Sequence, residues 1–503
     1  MSRRAVLATL TLLACSAAHA ELPEPVARLL RAANIPDQAV GAIVLRGNAS
    51  VLTHGAERSM QPASTMKLVT TLVGLEQLGP IFRGRTELRS GAELADGVLK
   101  GDLVLRGGAD ADFDADALEH MLQTLRNQGV RKIRGDVILD RQLFQPARPD
   151  LGAPAFDRTP ESRYNVVPDA LLLNTNLLRI DLDAGERQLK VLMTPPLEGV
   201  SVSADMKLVD ANCAQWENGW RTPDYTRGAD GKLSVTLHGS FPKNCSQSSN
   251  INVLDRQDYA DRLFRATWRR LGGVFGGTVR EAATPAGTRL LTDHVARALP
   301  EVLRDINKNS DNTKARLLYL SLGSLEADAY FGSRPLAPVP TQDGMPAGAA
   351  DTALRARQAV RDWFQRHNID ERDLVIENGS GLSRTERIRP AQMAAVLQAG
   401  SRSAWAPEFL SSLPIAALDG TMRRRLGGSP AAARARIKTG GLDNVVAIAG
   451  YVPDANNQQC IVVAFINHEL VGHGAGRAAL DALIDWVASS GAPGAPVPGA
   501  DAM

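Results

Sequence analysis

The sequence predicts an α+β fold: one antiparallel sheet flanked by helices, assembled from both ends of the chain and interrupted by β-rich insertions. Three observations point there. A helix–strand–strand segment opens the chain after residue 20 and a strand–strand–helix segment closes it, so the two complete one sheet with their helices on a shared face. Between about Thr86 and Val279 the texture changes to short alternating strands. The chain's 503 residues are enough for two to four domains.

The elements follow from local pattern. Pro25 to Ala33 carries Val26, Leu29 and Leu30 at helical spacing. Two strands, Ala42–Leu45 and Ser50–Thr53, join through Gly47-Asn48, a hairpin turn. Pro62 opens a helix to about Leu78, with Leu68, Val69, Leu72 and Leu75 as its apolar stripe. In the insertion, Gly101–Arg106, Val137–Leu139, Leu178–Leu182, Leu189–Met193 and Leu233–His238 read as strands, and Ala115–Gln128 as a helix. Helices return at Asp293–Asn307, Ala315–Leu322 and Ala353–His367, with a Pro/Gly/Ala-rich loop over Pro335–Ala350. Strands Val445–Val452 and Cys460–Asn467 and a helix, Ala475–Ser489, close the fold before the Pro/Gly tail 491–503.

Composition narrows the function. Apolar residues make up 44% and charged residues 22%, which excludes a mostly disordered chain and a polytopic membrane protein. A formal net charge of +2 without a long basic run argues against nucleic acid. Residues 1–20 read as a secretory signal peptide: Arg3-Arg4, the apolar run Ala5–Ala14, then Ala18-His19-Ala20 as cleavage site. A lipoprotein box ending at Cys15 is the alternative, although Leu13 fits it poorly. Cys213 and Cys245 share one polar region and are expected to pair in an oxidising compartment. Cys460, in an apolar strand, is expected to be a buried, inert thiol.

Three short motifs carry chemistry. In Ser64-Thr65-Met66-Lys67, positions i and i+3 are neighbours on a helix, so the Lys amine can reach the Ser hydroxyl. Serine is a weak nucleophile until a base takes its proton, and a lysine with a lowered pKa is such a base. Ser310-Asp311-Asn312 in an extended loop offers a hydroxyl to relay a proton and an amide to hold a peptide. Lys438-Thr439-Gly440, on an edge strand, offers a cation and a hydroxyl for a carboxylate, and Gly440-Gly441 lets a substrate backbone approach closely. Ser240-Phe241-Pro242-Lys243 also fits S-x-x-K, but Pro242 argues against a helix there. Ser248-Ser249-Asn250 has no third partner. Each motif alone is weak; the order S-x-x-K, S-x-N, K-T-G is that of penicillin-binding proteins and class A β-lactamases. Asp110, Asp112, Asp114 and Asp116 alternate like a calcium loop but lack its glycine and its closing Glu, and are expected to form a solvated turn capping the next helix.

With these motifs the chain resembles the low-molecular-mass class C penicillin-binding proteins, the D-alanyl-D-alanine carboxypeptidase/endopeptidases of penicillin-binding protein 4 type. Asn378-Gly379-Ser380-Gly381-Leu382-Ser383-Arg384 resembles that family's D-G-S-G-L-S-R, and Gly450-Tyr451-Val452 followed by Ile466-Asn467-His468 adds to the likeness. So does the long stretch between Lys67 and Ser310. The resemblance implies a β-lactamase/transpeptidase-like domain (residues 21–88 and 287–490) interrupted by two inserted β-rich domains (89–286, the inner about 108–172). It implies Ser64 as acylated nucleophile, Lys67 as its base, and Ser310 with Lys438 as proton shuttle. Asn312 would hold the peptide and Thr439 the terminal carboxylate, with Gly440 beside them. The N–H groups of Ser64 and Gly441 would form the oxyanion hole. The family usually has Ser or Thr where Gly441 stands, so a side-chain contact to carboxylate is lost. Arg384, Ser380 and Asp157 resemble positions near the substrate's side-chain pocket. The implied reaction is hydrolysis of D-Ala-D-Ala or D-Ala-diaminopimelate bonds in peptidoglycan stem peptides, in the periplasm, without metal or cofactor, with β-lactams acylating Ser64. Membrane association is expected to be peripheral at most, and a homodimer is the oligomer to consider. A serine β-lactamase and a catalytically silent cell-wall-binding protein are the rival readings.

Overall fold

The computed structural model describes residues 21–152, 154–337 and 351–491. Residues 1–20, expected to be a signal peptide, most of the stretch 335–350 and nearly all of 491–503 fall outside them.

Both chain ends enter one five-stranded antiparallel sheet, in the order Ala49–His54, Val40–Arg46, Gln459–Asn467, Val445–Pro453, Arg436–Leu442. Val44 lies opposite Val462, and Val463 opposite Ala449. The central strands are buried on both faces, which is why they read as unbroken apolar runs. Their side chains alternate between two cores. Ile461, Val463 and Phe465 join the cluster containing Leu68, Val69, Leu72 and Leu75 of the helix Lys67–Leu78. Cys460, Val462, Ala464 and Ile466 join the cluster of the terminal helices, with Val26 and Leu30 from Glu24–Ala32 and Leu480, Leu483 and Ile484 from Ala475–Ser489. The helix Lys67–Leu78 is buried nearly all round and stops at Gly79, whose φ is 74°.

The insertion reaches past the expected bounds of 89 and 286, because Arg85–Ser90 pairs with Arg289–Val295. It holds a second five-stranded sheet, ordered Val279–Glu281, Val137–Asp140, Leu103–Gly108, Arg85–Ser90, Arg289–Val295. Leu103–Gly108, the helix Ala115–Asn127 and Val137–Asp140 form a crossover between parallel strands. Residues 108–172 therefore do not make the nested unit expected there, because their strand belongs to a sheet completed by residues far along the chain. The nested strands run instead from Leu178 to Ile251, in a three-stranded and a four-stranded sheet. Cys213 and Cys245 are bonded within that unit, their Cα atoms 5.5 Å apart. Cys460 is free and buried.

Two expectations about elements need correction. Asp293–Asn307 is not one helix: Asp293–Val295 pairs as strand with Arg85–Glu87, and the helix is Leu299–Lys308, with Pro300 in its first turn. Pro335 ends the strand Gly332–Pro335, paired with Leu325–Asp328, rather than opening a loop. In the second S-x-x-K, Ser240 lies on the strand Leu233–Pro242 and Lys243 in the turn just past its end, so the two have no helical spacing. Among the described residues no helix is long and apolar enough to cross a membrane.

Candidate active site

Ser64 lies in a short 3-10 turn, Ala63–Met66, and Lys67 is the first residue of the α-helix that follows. Ala63 takes φ 45°, an unusual value for a residue with a Cβ and the kind of strain that collects at functional sites. The turn is held from outside. Asn467 accepts from the Gln61 amide at 2.8 Å and donates to its carbonyl at 3.0 Å. Gly440 and Gly381 both press on it: a Cβ on Gly440 would lie 2.7 Å from the Pro62 carbonyl, and one on Gly381 would collide with that of Ala63.

The three motifs converge. Lys67 Nζ donates to Ser64 Oγ at 2.9 Å, to Asn312 Oδ1 at 2.6 Å and to the Ser380 carbonyl. Lys438 Nζ donates to Ser310 Oγ at 2.9 Å and to the Thr439 carbonyl at 2.7 Å. Ser310 is not in an extended loop. Its φ is 58°, Asp311 caps the helix Asn312–Leu322, and that sharp turn aims Ser310 at Lys438 and Asn312 at Lys67. Arg436–Leu442 is the sheet's edge strand, so Thr439, Gly440 and Gly441 keep one side open.

Both lysines are fully buried. Burial, with the Lys438 charge beside it, pulls Lys67 well below the ordinary lysine range. Burial alone brings Lys438 down to about 7. A buried amine without a carboxylate partner, next to a half-exposed serine, can take that serine's proton near neutral pH.

Sequence reasoning missed the group that shapes this pocket. Glu386 is buried, and its carboxylate accepts the backbone N–H groups of Glu377, Asn378, Gly379 and Gly381 at 2.8–3.1 Å. Burial raises its pKa while these donors hold it down. The loop it folds delivers the Ser380 carbonyl to Lys67. The Ser380 hydroxyl itself donates to Asn378 and is buried, so its carbonyl is what reaches the site. A lone Glu in the run Thr385-Glu386-Arg387 gives no sequence signal for this.

Arg384 and Asp157 stand at the rim, with no bond to Lys67 or Ser64. Arg384 is exposed and its guanidinium lies over the Phe156 ring, 4.8 Å from the centroid. Asp157 accepts from Tyr164 at 2.8 Å and from Asn165 at 3.0 Å. The insertion reaches the site through this segment, since Asn312 Nδ2 donates to the Tyr164 carbonyl at 3.1 Å. The acidic stretch is not the solvated turn expected from sequence. Asp114 does cap the next helix, but Asp110 is buried against His294, and Asp112 pairs with Arg297 and Lys314.

Fold and site define a serine-type peptidase. The model of the D-Ala-D-Ala carboxypeptidase 3 (S13) family matches residues 22–331 and 344–490, and the chain belongs to that family. The D-alanyl-D-alanine carboxypeptidase DacB of Haemophilus influenzae is 27% identical over 433 residues, 84% of this chain and 83% of the relative. The D-alanyl-D-alanine carboxypeptidase of an Actinomadura species is 26% identical over 472 residues, 89% of this chain and 81% of the relative. The crystal structure of penicillin binding protein 4 (dacB) from Haemophilus influenzae shares the fold at a TM-score of 0.71 and 23% identity, covering 91% of this chain and 98% of that one. The same protein is also known complexed with a novel β-lactam.

Proposed function

We propose that this chain hydrolyses the D-Ala-D-Ala or D-Ala-diaminopimelate bonds of peptidoglycan stem peptides in the periplasm, through an acyl-enzyme on Ser64. The single observation that carries the reading is the buried Lys67 amine 2.9 Å from Ser64 Oγ. Ser64 Oγ attacks the carbonyl carbon of the scissile amide and its proton passes to Lys67 Nζ. The tetrahedral oxyanion is held by the N–H groups of Ser64 and Gly441. The C–N bond then breaks, and the departing amine takes a proton through Ser310 from Lys438. Water then attacks the ester carbonyl and its proton passes through Ser310 to Lys438. The C–O bond to Ser64 breaks, Ser64 Oγ takes its proton back from Lys67 Nζ, and the acid product leaves with both lysines restored. Asn312 holds the peptide, Thr439 the terminal carboxylate, and Arg384 with Asp157 lines the side-chain pocket. The leader 1–20 supports export.

The test is incubation of the purified protein with benzylpenicillin, read by intact mass beside Ser64→Ala. One stable adduct in the wild type and none in a folded Ser64→Ala is the expected result. A folded wild type without an adduct would overturn the enzymatic reading.

A further inference from the structure

The edge strand leaves its carboxylate end thinly furnished. Gly441 is exposed, and a Cβ there would meet no atom within 4 Å. Thr439 therefore offers the only hydroxyl that Lys438-Thr439-Gly440-Gly441 brings to the mouth of the site. A second hydroxyl faces it from another element. Thr439 Oγ1 donates to Thr421 Oγ1 at 2.8 Å, and Thr421 is exposed. Since Thr421 is the acceptor in that bond, its own O–H hydrogen stays available to a third partner.

Thr421 is rigidly placed. Gly420 before it takes φ 54°, and a Cβ there would lie 2.6 Å from the Lys308 carbonyl. Asp419 accepts from the Ile415 amide at 2.8 Å and from Lys308 Nζ, which also donates to the Leu413 carbonyl at 3.0 Å. The loop is thus fixed to the residues just before Ser310. Arg423 and Arg424 follow on the same loop. Both are exposed, and their side chains make no hydrogen bond or ion pair among the described residues, so the approach to Thr421 favours an anion.

We infer that Thr421 is a second carboxylate-binding hydroxyl, supplying the donor that Gly441 lacks. The inference rests on the proposed peptidase reading and adds a specificity residue to it. A carboxylate presents two acceptor oxygens. With substrate bound, the Thr439 hydroxyl turns to one and the Thr421 hydroxyl donates to the other. A hydrogen bond to a charged acceptor is stronger than one between neutral groups, so the pair prefers the anion to each other.

The test compares acylation by benzylpenicillin with acylation by its methyl ester, which lacks the anionic carboxylate. Thr421→Val should slow acylation by the acid about tenfold and leave the ester unchanged. Thr421→Ser should stay near wild type, and Gly441→Ser added to Thr421→Val should recover much of the loss. Equal rates for Thr421→Val and wild type would overturn the assignment. So would equal losses on acid and ester, which would make Thr421 a support for Thr439 only. Failure of the underlying peptidase reading shows separately, as a wild type that forms no adduct with either compound.

Discussion

The helix Asn312–Leu322 joins two ionic regions of opposite design, one buried and one partly exposed. At its first residue Asn312 meets Lys67, with Lys438 close by, and neither amine has a carboxylate partner. Two residues on, Lys314 reaches an acidic junction where each charge is answered. Asp112 binds Lys314 at 3.3 Å and Arg297 at 2.7 Å, Arg297 binds Asp305 at 2.7 Å, and His294 binds Asp110 at 2.7 Å. Unanswered burial lowers the lysine pKa values and makes a base. At the junction, answered charge holds Asp112 and Arg297 in their charged forms and ties the insertion to the main domain. Reactivity and cohesion thus come from the same residue types, separated by whether a counter-ion is supplied.

The largest break in this comparison is Lys67→Ala. Acylation by benzylpenicillin should fall about a thousandfold or more, while the melting temperature holds or rises, because the cost of burying an amine without a counter-ion offsets its three hydrogen bonds. Stopped-flow acylation and calorimetry on one preparation check both. A marked loss of melting temperature with little loss of rate would place Lys67 on the structural side.

Glu386→Gln comes next. Glutamine keeps one acceptor oxygen but turns an N–H₂ toward backbone N–H donors, so the loop 377–381 should lose about 2–4 kcal/mol. Acylation should fall with it as the Ser380 carbonyl leaves Lys67. Denaturant unfolding that leaves the midpoint unchanged would show that the four N–H bonds are dispensable.

The lysine pair also fixes a pH profile. Acylation needs Lys67 neutral and Lys438 protonated. kcat/KM should therefore rise as pH passes the depressed pKa of Lys67 and fall above the Lys438 value of about 7, by up to about tenfold per pH unit. Lys438→Arg keeps its charge and should abolish the alkaline limb. If the limb persists in that variant, another group titrates.

At the junction, Asp112→Asn should leave acylation near wild type and cost about 1–2 kcal/mol of stability, since its partners are partly exposed. Burial pushes Asp112 up, but the Arg297 hydrogen bonds and the Lys314 charge outweigh it and hold the carboxyl at about 2. Its folded pKa lies below the unfolded one, so its contribution is present above about pH 4 and is lost as pH falls toward 2. The variant should lack that acid-side loss.

Much of this was legible in the sequence, for physical reasons. The apolar runs at both chain ends could satisfy both faces only in a shared sheet, and the order of three motifs marked Ser64, Lys67, Ser310 and Lys438. What escaped was set by distant pairing. Asp293–Val295 carries a helix-compatible pattern, yet Arg85–Glu87 recruits it as strand. The nested unit could not be bounded because the sheet around it takes strands from both sides: Val137–Asp140 pairs with Val279–Glu281, and Arg85–Ser90 with Arg289–Val295. Glu386 and Thr421 are single polar residues whose roles exist only once other loops close around them.

Arg384→Ala is the mildest probe and separates the rim from the reacting centre. The guanidinium lies over Phe156 and makes no ion pair among the described residues, so its removal takes away a partly exposed cation–π contact worth about 0.5–1 kcal/mol. Folding and penicillin acylation should be nearly unaffected. A stem peptide ending in D-Ala-D-Ala should show KM raised severalfold at constant kcat, provided its side-chain carboxylate is intact. With that carboxylate amidated, wild type and variant should converge. A matching loss on benzylpenicillin would mean instead that the Arg384 side chain fixes its own backbone, whose carbonyl accepts from Gln61 Nε2 at 2.8 Å, and so belongs with the turn around Ser64 and not with the rim.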